Sequence, residues 1–262
     1  EMCIRDRTTQ YAAQHLCVLS TVDSTNNYLK QRAADLPHGY AVVADCQTAG
    51  RGRLGRSFVS PSGSGIYISL LLRPNIPLER MHLMTVGAAI AACEAIQETA
   101  GFTPDIKWVN DVLMHGKKLC GILTEASIEA ETGQLSYVIV GIGLNVRTPA
   151  GGLAPEIADI AGCLEDFAPH AVRRNALAAS FFNHMESCCD LIAAGQTDAL
   201  IDRYRSFIHF LGQPITVIRF DKREPATAVG IDSNGHLIIE QNGQRSTLVA
   251  GEISIRLPEQ TR

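Results

Sequence analysis

Three arginines and three glycines fall within seven consecutive residues, Gly50 to Arg56, inside the segment DCQTAGRGRLGRS that runs from Asp45 to Ser57. Glycines let a backbone curl around an anion, and planar guanidinium forks grip its oxygens in pairs. A ligand that carries phosphate suits such a loop. The spacing is neither the GxxxxGK[ST] of a P-loop nor a GxGxxG that opens a helix, so neither motif explains it. On its own a basic, glycine-rich loop is also a common surface turn, and the case for chemistry needs partners elsewhere. Three segments offer them: Asp23-Ser24-Thr25-Asn26, with its hydroxyls and amide; Lys107-Trp108-Val109-Asn110-Asp111, with a lysine next to an amide and a carboxylate; and Gly141-Ile142-Gly143-Leu144-Asn145.

The elements that must bring these residues together can be sketched from periodicity. Leu16 to Leu19 is an apolar strand, and Asp23-Ser24-Thr25 can cap a helix from about Asn26 to Ala34. Tyr40 to Ala44 and Gly65 to Arg73 are strands that hold the arginine loop at both ends. Leu78 to Ala100 has apolar residues at helical spacing and stops at Gly101. Asp105 to Val112 is expected to be one strand and Lys118 to Glu125 its hairpin partner, with Tyr137 to Val146 a further strand. Thr148 to His170 is rich in Pro, Gly and Ala and is expected to be a long loop able to act as a lid. Asn175 to Ala194 and Ala199 to Leu211 are amphipathic helices. After Gly212 the chain turns into short strands separated by polar turns, which predicts a small barrel of its own. The expected division is a leader over 1–15, a catalytic unit over 16–212 and a barrel over 213–262. The first seven residues, EMCIRDR, are expected to be disordered or non-native.

Composition removes several classes of function. With 23 Lys plus Arg against 27 Asp plus Glu there is no global basic field to recruit nucleic acid, so any anion site is local. The longest apolar runs, Ile66 to Leu72 and Val86 to Cys93, fall well short of the ~20 residues of a membrane span, and no signal peptide is apparent. Eight cysteines without a CxxC pair argue for reduced thiols and a cytoplasmic setting, and eight histidines without HExxH argue against a structural zinc site.

In this order and at these distances, the four segments resemble the biotin protein ligases. The resemblance takes in Gly116-Lys117-Lys118-Leu119-Cys120-Gly121-Ile122-Leu123 and Ala250-Gly251-Glu252-Ile253-Ser254, and so runs from about residue 17 to 257. Val109 stands where the family usually has proline, and Phe58-Val59 where an aromatic pair is more common. Some members carry an N-terminal winged-helix module, and about sixteen residues before the first strand are too few for one, which resembles the class that is ligase alone.

The resemblance implies an α+β fold: a mixed β-sheet with helices packed on one face, followed by a small C-terminal SH3-like β-barrel. It implies that biotin is activated by ATP as biotinyl-5′-adenylate and passed to a lysine of a biotin carboxyl carrier protein. Magnesium would offset the triphosphate charge, although no ligands for it are identified; Asn110-Asp111 can either help hold it or form a tight turn. Lys107 is expected between the biotin carboxylate and the α-phosphate, with Arg51 and Arg53 reaching over the adenylate and Gly50 and Gly52 admitting backbone amides. Ser24, Thr25, Asn26 and Gln47 are expected around the biotin ring, with Gly121 and Gly143 leaving it room. The nucleotide would meet Arg53, Lys107, Asn110 and Asn145; Arg56 either reaches it or anchors the loop, and Asn145 either faces adenine or serves a turn. Neither DNA nor a membrane is an expected partner, and a homodimer is left open. The rival reading is an acyl-adenylate enzyme of the lipoate ligase kind, which lacks GRGR together with KWxND.

Overall fold

The computed structural model describes residues 7–219, 222–249 and 252–255. Seven strands form one sheet in the order β1-β2-β3-β7-β6-β5-β4, made of β1 (Leu16–Val22), β2 (Ala41–Gln47), β3 (Gly65–Leu72), β4 (Asp105–Lys107), β5 (Asp111–Met114), β6 (Lys117–Ile128) and β7 (Leu135–Asn145). Only β1 and β2 run parallel, joined across α1 (Thr25–Arg32); every other neighbouring pair is antiparallel. The strand GIYISLLL of β3 is buried along its whole length because both faces of the sheet are covered there.

Two layers do the covering. Helices α2 (Leu83–Ala100) and α3 (Arg174–Ala193) lie on one face, where Ile66, Ile68, Leu70, Val140, Ile142 and Leu144 join the main core. Alanines along α2 allow this close approach, and the helix ends at Gly101 in the left-handed conformation (φ 79°). The short α1 lies across the other face, its Leu29 and Ala33 packed with Val42, Leu71 and Ile139 in a separate small core. This is a refinement of the expected one-sided packing: the helical layer is one-sided, and α1 marks the face left for the site.

The segment expected as one strand from Asp105 to Val112 is instead two short strands, β4 and β5, folded back on each other through a turn at Trp108, Val109 and Asn110. The Trp108–Val109 peptide is cis.

After α4 (Thr197–Ser206), an antiparallel five-stranded sheet follows in the order β11-β10-β9-β8-β12. It contains β8 (Pro214–Arg219), β9 (Lys222–Ile231), β10 (Leu237–Gln241), β11 (Gln244–Leu248) and β12 (Glu252–Ile255). Its apolar face, with Ile215, Val217, Leu237 and Ile239, is continuous with the main core. Two polar contacts fix it further: the Trp108 indole donates to the Gly235 carbonyl at 3.1 Å, and Arg205 donates to that of Ile231 at 2.7 Å.

The expected leader needs correction from residue 8 onward. Glu186 on α3 accepts hydrogen bonds from the backbone amides of Gln10, Tyr11 and Ala12 at 2.6, 2.9 and 2.7 Å, and Ala12 and Ala13 are fully buried. A carboxylate that collects three amides holds a segment with no periodicity of its own, so the sequence pattern gave no sign of it. Residues 1–6, also expected in that leader, lie outside the described residues.

Candidate active site

Pairing across the sheet decides which side chains share the face that α1 leaves open. Tyr67 and Ser69 on β3 stand opposite Gly143 and Gly141 on β7, which stand opposite Gly121 and Leu123 on β6. The two glycines of β7 make a floor without side chains, and two neighbours drop into it. A Cβ on residue 141 would lie 2.1 Å from Asn26 Oδ1, and one on residue 143 would lie 2.4 Å from the Phe58 ring. Glycine at both positions is therefore a condition for the cleft's shape.

One wall is the start of α1. Ser24 is its N-cap, and the Thr25 amide and hydroxyl both meet Gln47 Oε1, at 2.9 and 3.1 Å. Ser69 Oγ lies 2.7 Å from Thr25 Oγ1 and 2.5 Å from Asn26 Oδ1, and Gln47 Nε2 donates to Ser60 Oγ at 2.9 Å. Ser24, Thr25 and Asn26 are nearly inaccessible to solvent, so this row of hydroxyls and amides is fixed before any ligand arrives. Burial pushes the Tyr67 phenol up to about 12; it stays neutral and donates to the Pro61 carbonyl at 3.1 Å.

The opposite wall is the arginine loop. Its neck is closed by Gln47 N–H to Ser60 O at 3.0 Å and Phe58 N–H to Gly50 O at 2.9 Å, and its tip by Gly52 N–H to Arg56 O at 2.7 Å. Leu54 sits at the tip with φ 55° and 77% of its surface exposed. Arg51 Nη1 reaches Glu125 on β6, 3.0 Å from both carboxylate oxygens, and Arg53 Nη1 donates to Asn110 Oδ1 at 2.8 Å. Asn110 in turn is locked to β6 by Ile122 N–H at 2.9 Å and by its own Nδ2 to Ile122 O at 3.1 Å. Arg56 lines neither cavity described here and closes the loop through its backbone.

The cleft enclosed by these walls is lined by Ser24, Thr25, Asn26, Gln47, Arg51, Gly52, Arg53, Phe58, Asn110, Lys118, Gly121 and Gly143 among others, and holds only ≈ 50 Å³. That is room for a water or two, so a ring-bearing ligand enters only when Phe58 and the loop swing outward. A larger cavity of ≈ 280 Å³ adjoins the sheet end, lined by Asn145, Arg147, Ser64, Val59 and the segment from Pro149 to Ile157. The Asn145 amide donates to Lys118 O at 3.3 Å and Gly162 O at 3.2 Å, which ties β7 to β6 and to the loop expected as a lid.

Of the two lysines, Lys118 lines the enclosed cleft, and Lys107, in the same row across the sheet, does not. Lys107 pairs with Asp111, and Asp111 with Gly121, so Lys107 stands on the right row but two strands out, about 10 Å by the usual strand spacing. The turn at Trp108 to Asn110, which the expectation of a single strand missed, puts it on the outermost strand. Lys118 arrives through a bulge: the register with β5 shifts between Val112 and Leu113, so Leu119 is the extra residue, and both Leu119 and Cys120 are buried. Lys118 Nζ forms an ion pair with Asp111 at 2.7 Å, and its chain lies against Gly121. A signal for this was present in the sequence: strict alternation back from Gly121 would drive Lys118 into the apolar layer under α2, which a lysine does not tolerate.

Among the described residues no group of three His, Cys, Asp or Glu side chains could hold a metal. The two acids that reach the cleft's cations are already paired, Asp111 with Lys118 and Glu125 with Arg51. Asn110 ends the turn and Asp111 opens β5, so the described residues offer magnesium at most a single carboxylate here.

A mixed sheet with a cationic, glycine-floored cleft on one face and an antiparallel five-stranded sheet behind it defines a protein ligase by the families it matches. The biotin/lipoate A/B protein ligase family profile matches residues 18–145, and a biotin protein ligase C-terminal domain profile matches residues 210–256. The bifunctional ligase/repressor BirA of Bacillus subtilis is 36% identical over 255 residues, covering 94% of this chain and 76% of that protein. The biotin–[acetyl-CoA-carboxylase] ligase of Paracoccus denitrificans is 31% identical, covering 90% and 98%. The structure of the biotin protein ligase from Aquifex aeolicus in complex with biotin and ATP superposes with a TM-score of 0.79 at 28% identity, covering 93% of this chain and 99% of that one. The chain belongs to this family, on its biotin protein ligase branch.

Proposed function

We propose that this chain couples biotin to a lysine of a biotin carboxyl carrier protein in two steps through biotinyl-5′-adenylate. A carboxylate oxygen of biotin attacks the α-phosphorus of ATP and pyrophosphate leaves; the lysine amine then attacks the acyl carbon and AMP leaves. Both reactants of the first step are anions, and their repulsion is the barrier the protein must lower. The observation that carries the proposal is the convergence of Arg51, Arg53 and Lys118 on one cleft with a buried row of ureido-sized donors and acceptors.

In this reading Thr25, Asn26, Gln47 and Ser24 meet the biotin ring, Gly143 and Gly121 leave it space, and Phe58 covers it. Lys118 takes the place between carboxylate and phosphate that the sequence had assigned to Lys107, because a compact ammonium can touch both anions. Arg51 and Arg53 close over the adenylate. The larger cavity beside Asn145 takes the nucleoside, and magnesium arrives bound to ATP as part of that substrate. In the same reading the catalytic unit spans 16–212, and the barrel is built from the strands that follow, β8 to β12.

The test is transfer of labelled biotin to an isolated carrier domain. Label should appear only with ATP, and lipoate should not replace biotin. Transfer without ATP, or a preference for lipoate, would defeat the proposal.

A further inference from the structure

Glu125 has no place in the chemistry above, yet it touches both halves of the site. It lies on β6 opposite Ile139, on the face of the sheet that carries the cleft. Its carboxylate is largely covered and faces three groups: Arg51 Nη1 at 3.0 Å, Asn26 Nδ2 at 3.0 Å and Lys30 Nζ at 3.8 Å; the same Nη1 also donates to the Asn27 amide oxygen at 2.9 Å.

The contact with Arg51 uses one end of the guanidinium. Nη1 is surrounded by three acceptors, two from Glu125 and one from Asn27, while Nη2 and Nε make no hydrogen bond among the described residues. The fork is held by one prong with its other edge available to an anion. An arginine left free surrenders rotamer entropy on gripping a ligand; one held beforehand surrenders less. Asn26 is oriented at the same time, since its Nδ2 goes to Glu125 and to the Leu123 carbonyl while its Oδ1 meets Ser69. From Ser69 the row continues through Thr25 and Gln47 to Ser60 at the neck of the arginine loop.

We propose that Glu125 is the positioning residue of this site: it pins the Arg51 guanidinium and aims the Asn26 amide, so that the electrostatic wall and the ring-binding wall are set by one carboxylate. The proposal rests on the biotin-adenylation reading for its kinetic consequence only. A mere counter-ion would have the opposite effect, because an anion beside Arg51 then competes with the ligand and its removal speeds the reaction.

The experiment compares Glu125→Gln, which keeps an acceptor for Asn26 but loses the charge, with Arg51→Ala and the double variant. Single-turnover adenylate formation from biotin and ATP should slow about tenfold in Glu125→Gln at saturating biotin, with KM for biotin changed little. In the Arg51→Ala background the same substitution should cost nothing further. A faster or unchanged rate in Glu125→Gln, or a full additional loss in the double variant, overturns the proposal. The second measurement needs no turnover: nitrogen-15 relaxation at the Arg51 Nε–H should report a rigid side chain in the unaltered protein and a mobile one in Glu125→Gln. Equal mobility in the two overturns the proposal, whereas an inactive unaltered protein with the mobility difference intact sinks only the ligase reading.

Discussion

Two lysines eleven positions apart make opposite claims on the first chemical step, and one pair of substitutions separates them. Lys118→Ala removes a charge that stands in the cleft beside Gly121, where the attacking carboxylate and the α-phosphate would meet. Loss of one preorganised charge of this kind costs on the order of 10²–10³ in rate. Lys107→Ala removes a charge whose backbone stands two strand spacings from Gly121; with the ammonium itself about 10 Å from the reacting anions in a solvent-like dielectric, its interaction with them would be about 0.4 kcal/mol, a factor of about two. Stability should barely distinguish them. The Lys118–Asp111 pair is about a third exposed at the lysine and about a fifth at the aspartate, and such pairs contribute about 1 kcal/mol or less. The assay is biotin-dependent exchange of pyrophosphate into ATP, which reports adenylate formation without a carrier, run beside thermal melts. A collapse of exchange in Lys107→Ala with near-normal exchange in Lys118→Ala would refute the bulge argument and return the central role to the residue first expected to hold it.

Two further outcomes follow from the packing. Gly143→Ala places a methyl 2.4 Å from the Phe58 ring, so the ring must back away into the ligand's space; biotin affinity by calorimetry should fall at least about tenfold at a stability cost of about 1–3 kcal/mol, and unchanged affinity would reject Phe58 as the cover of the ring. Away from the site, His184 on α3 donates to Glu94 at 3.0 Å and, from its other nitrogen, to Glu98 at 3.1 Å, a pair of bonds only the imidazolium can make. The hydrogen bond to Glu94 leads in raising its pKa above 6.5; Glu98 is held below its usual range first by the Ser180 hydroxyl and then by His184, and Glu94, against the opposing effect of burial, by His184 and Arg203. The histidine's contribution is complete below 6.5 and is lost as pH rises through its raised value; the glutamates' is present above about 4.5 and lost on acidification. The melting-temperature gap between the unaltered protein and His184→Gln should thus be widest near about pH 6 and shrink toward pH 9; a gap that does not vary with pH would refute the coupling.

Much of the molecule was legible because its elements obey one period each. The alanine-rich run ending at Gly101, the all-apolar β3 and the hydroxyl cap at Ser24 each state their structure locally. The arginine loop was legible for a different reason, since nothing but an anion explains so many guanidiniums among glycines. What escaped were features set by pairing between strands. The turn at Trp108 to Asn110 interrupts a stretch that reads as continuous, and the bulge at Leu119 reverses the facing of Lys118; both depend on partners that periodicity does not see. The Glu186 clasp on residues 10–12 escaped likewise, being a bond between segments some 175 residues apart. Phe58 was noticed only as a departure from a common aromatic pair, and its seat above Gly143 needed the third dimension.

The indole of Trp108 reaches out of the turn to the carbonyl of Gly235, and two residues later Asn110 grips Arg53. Barrel and arginine loop are thereby yoked through a span of three residues. A shift of the barrel relative to the sheet would reach the guanidinium of Arg53 through that turn before it reached any strand of the cleft floor.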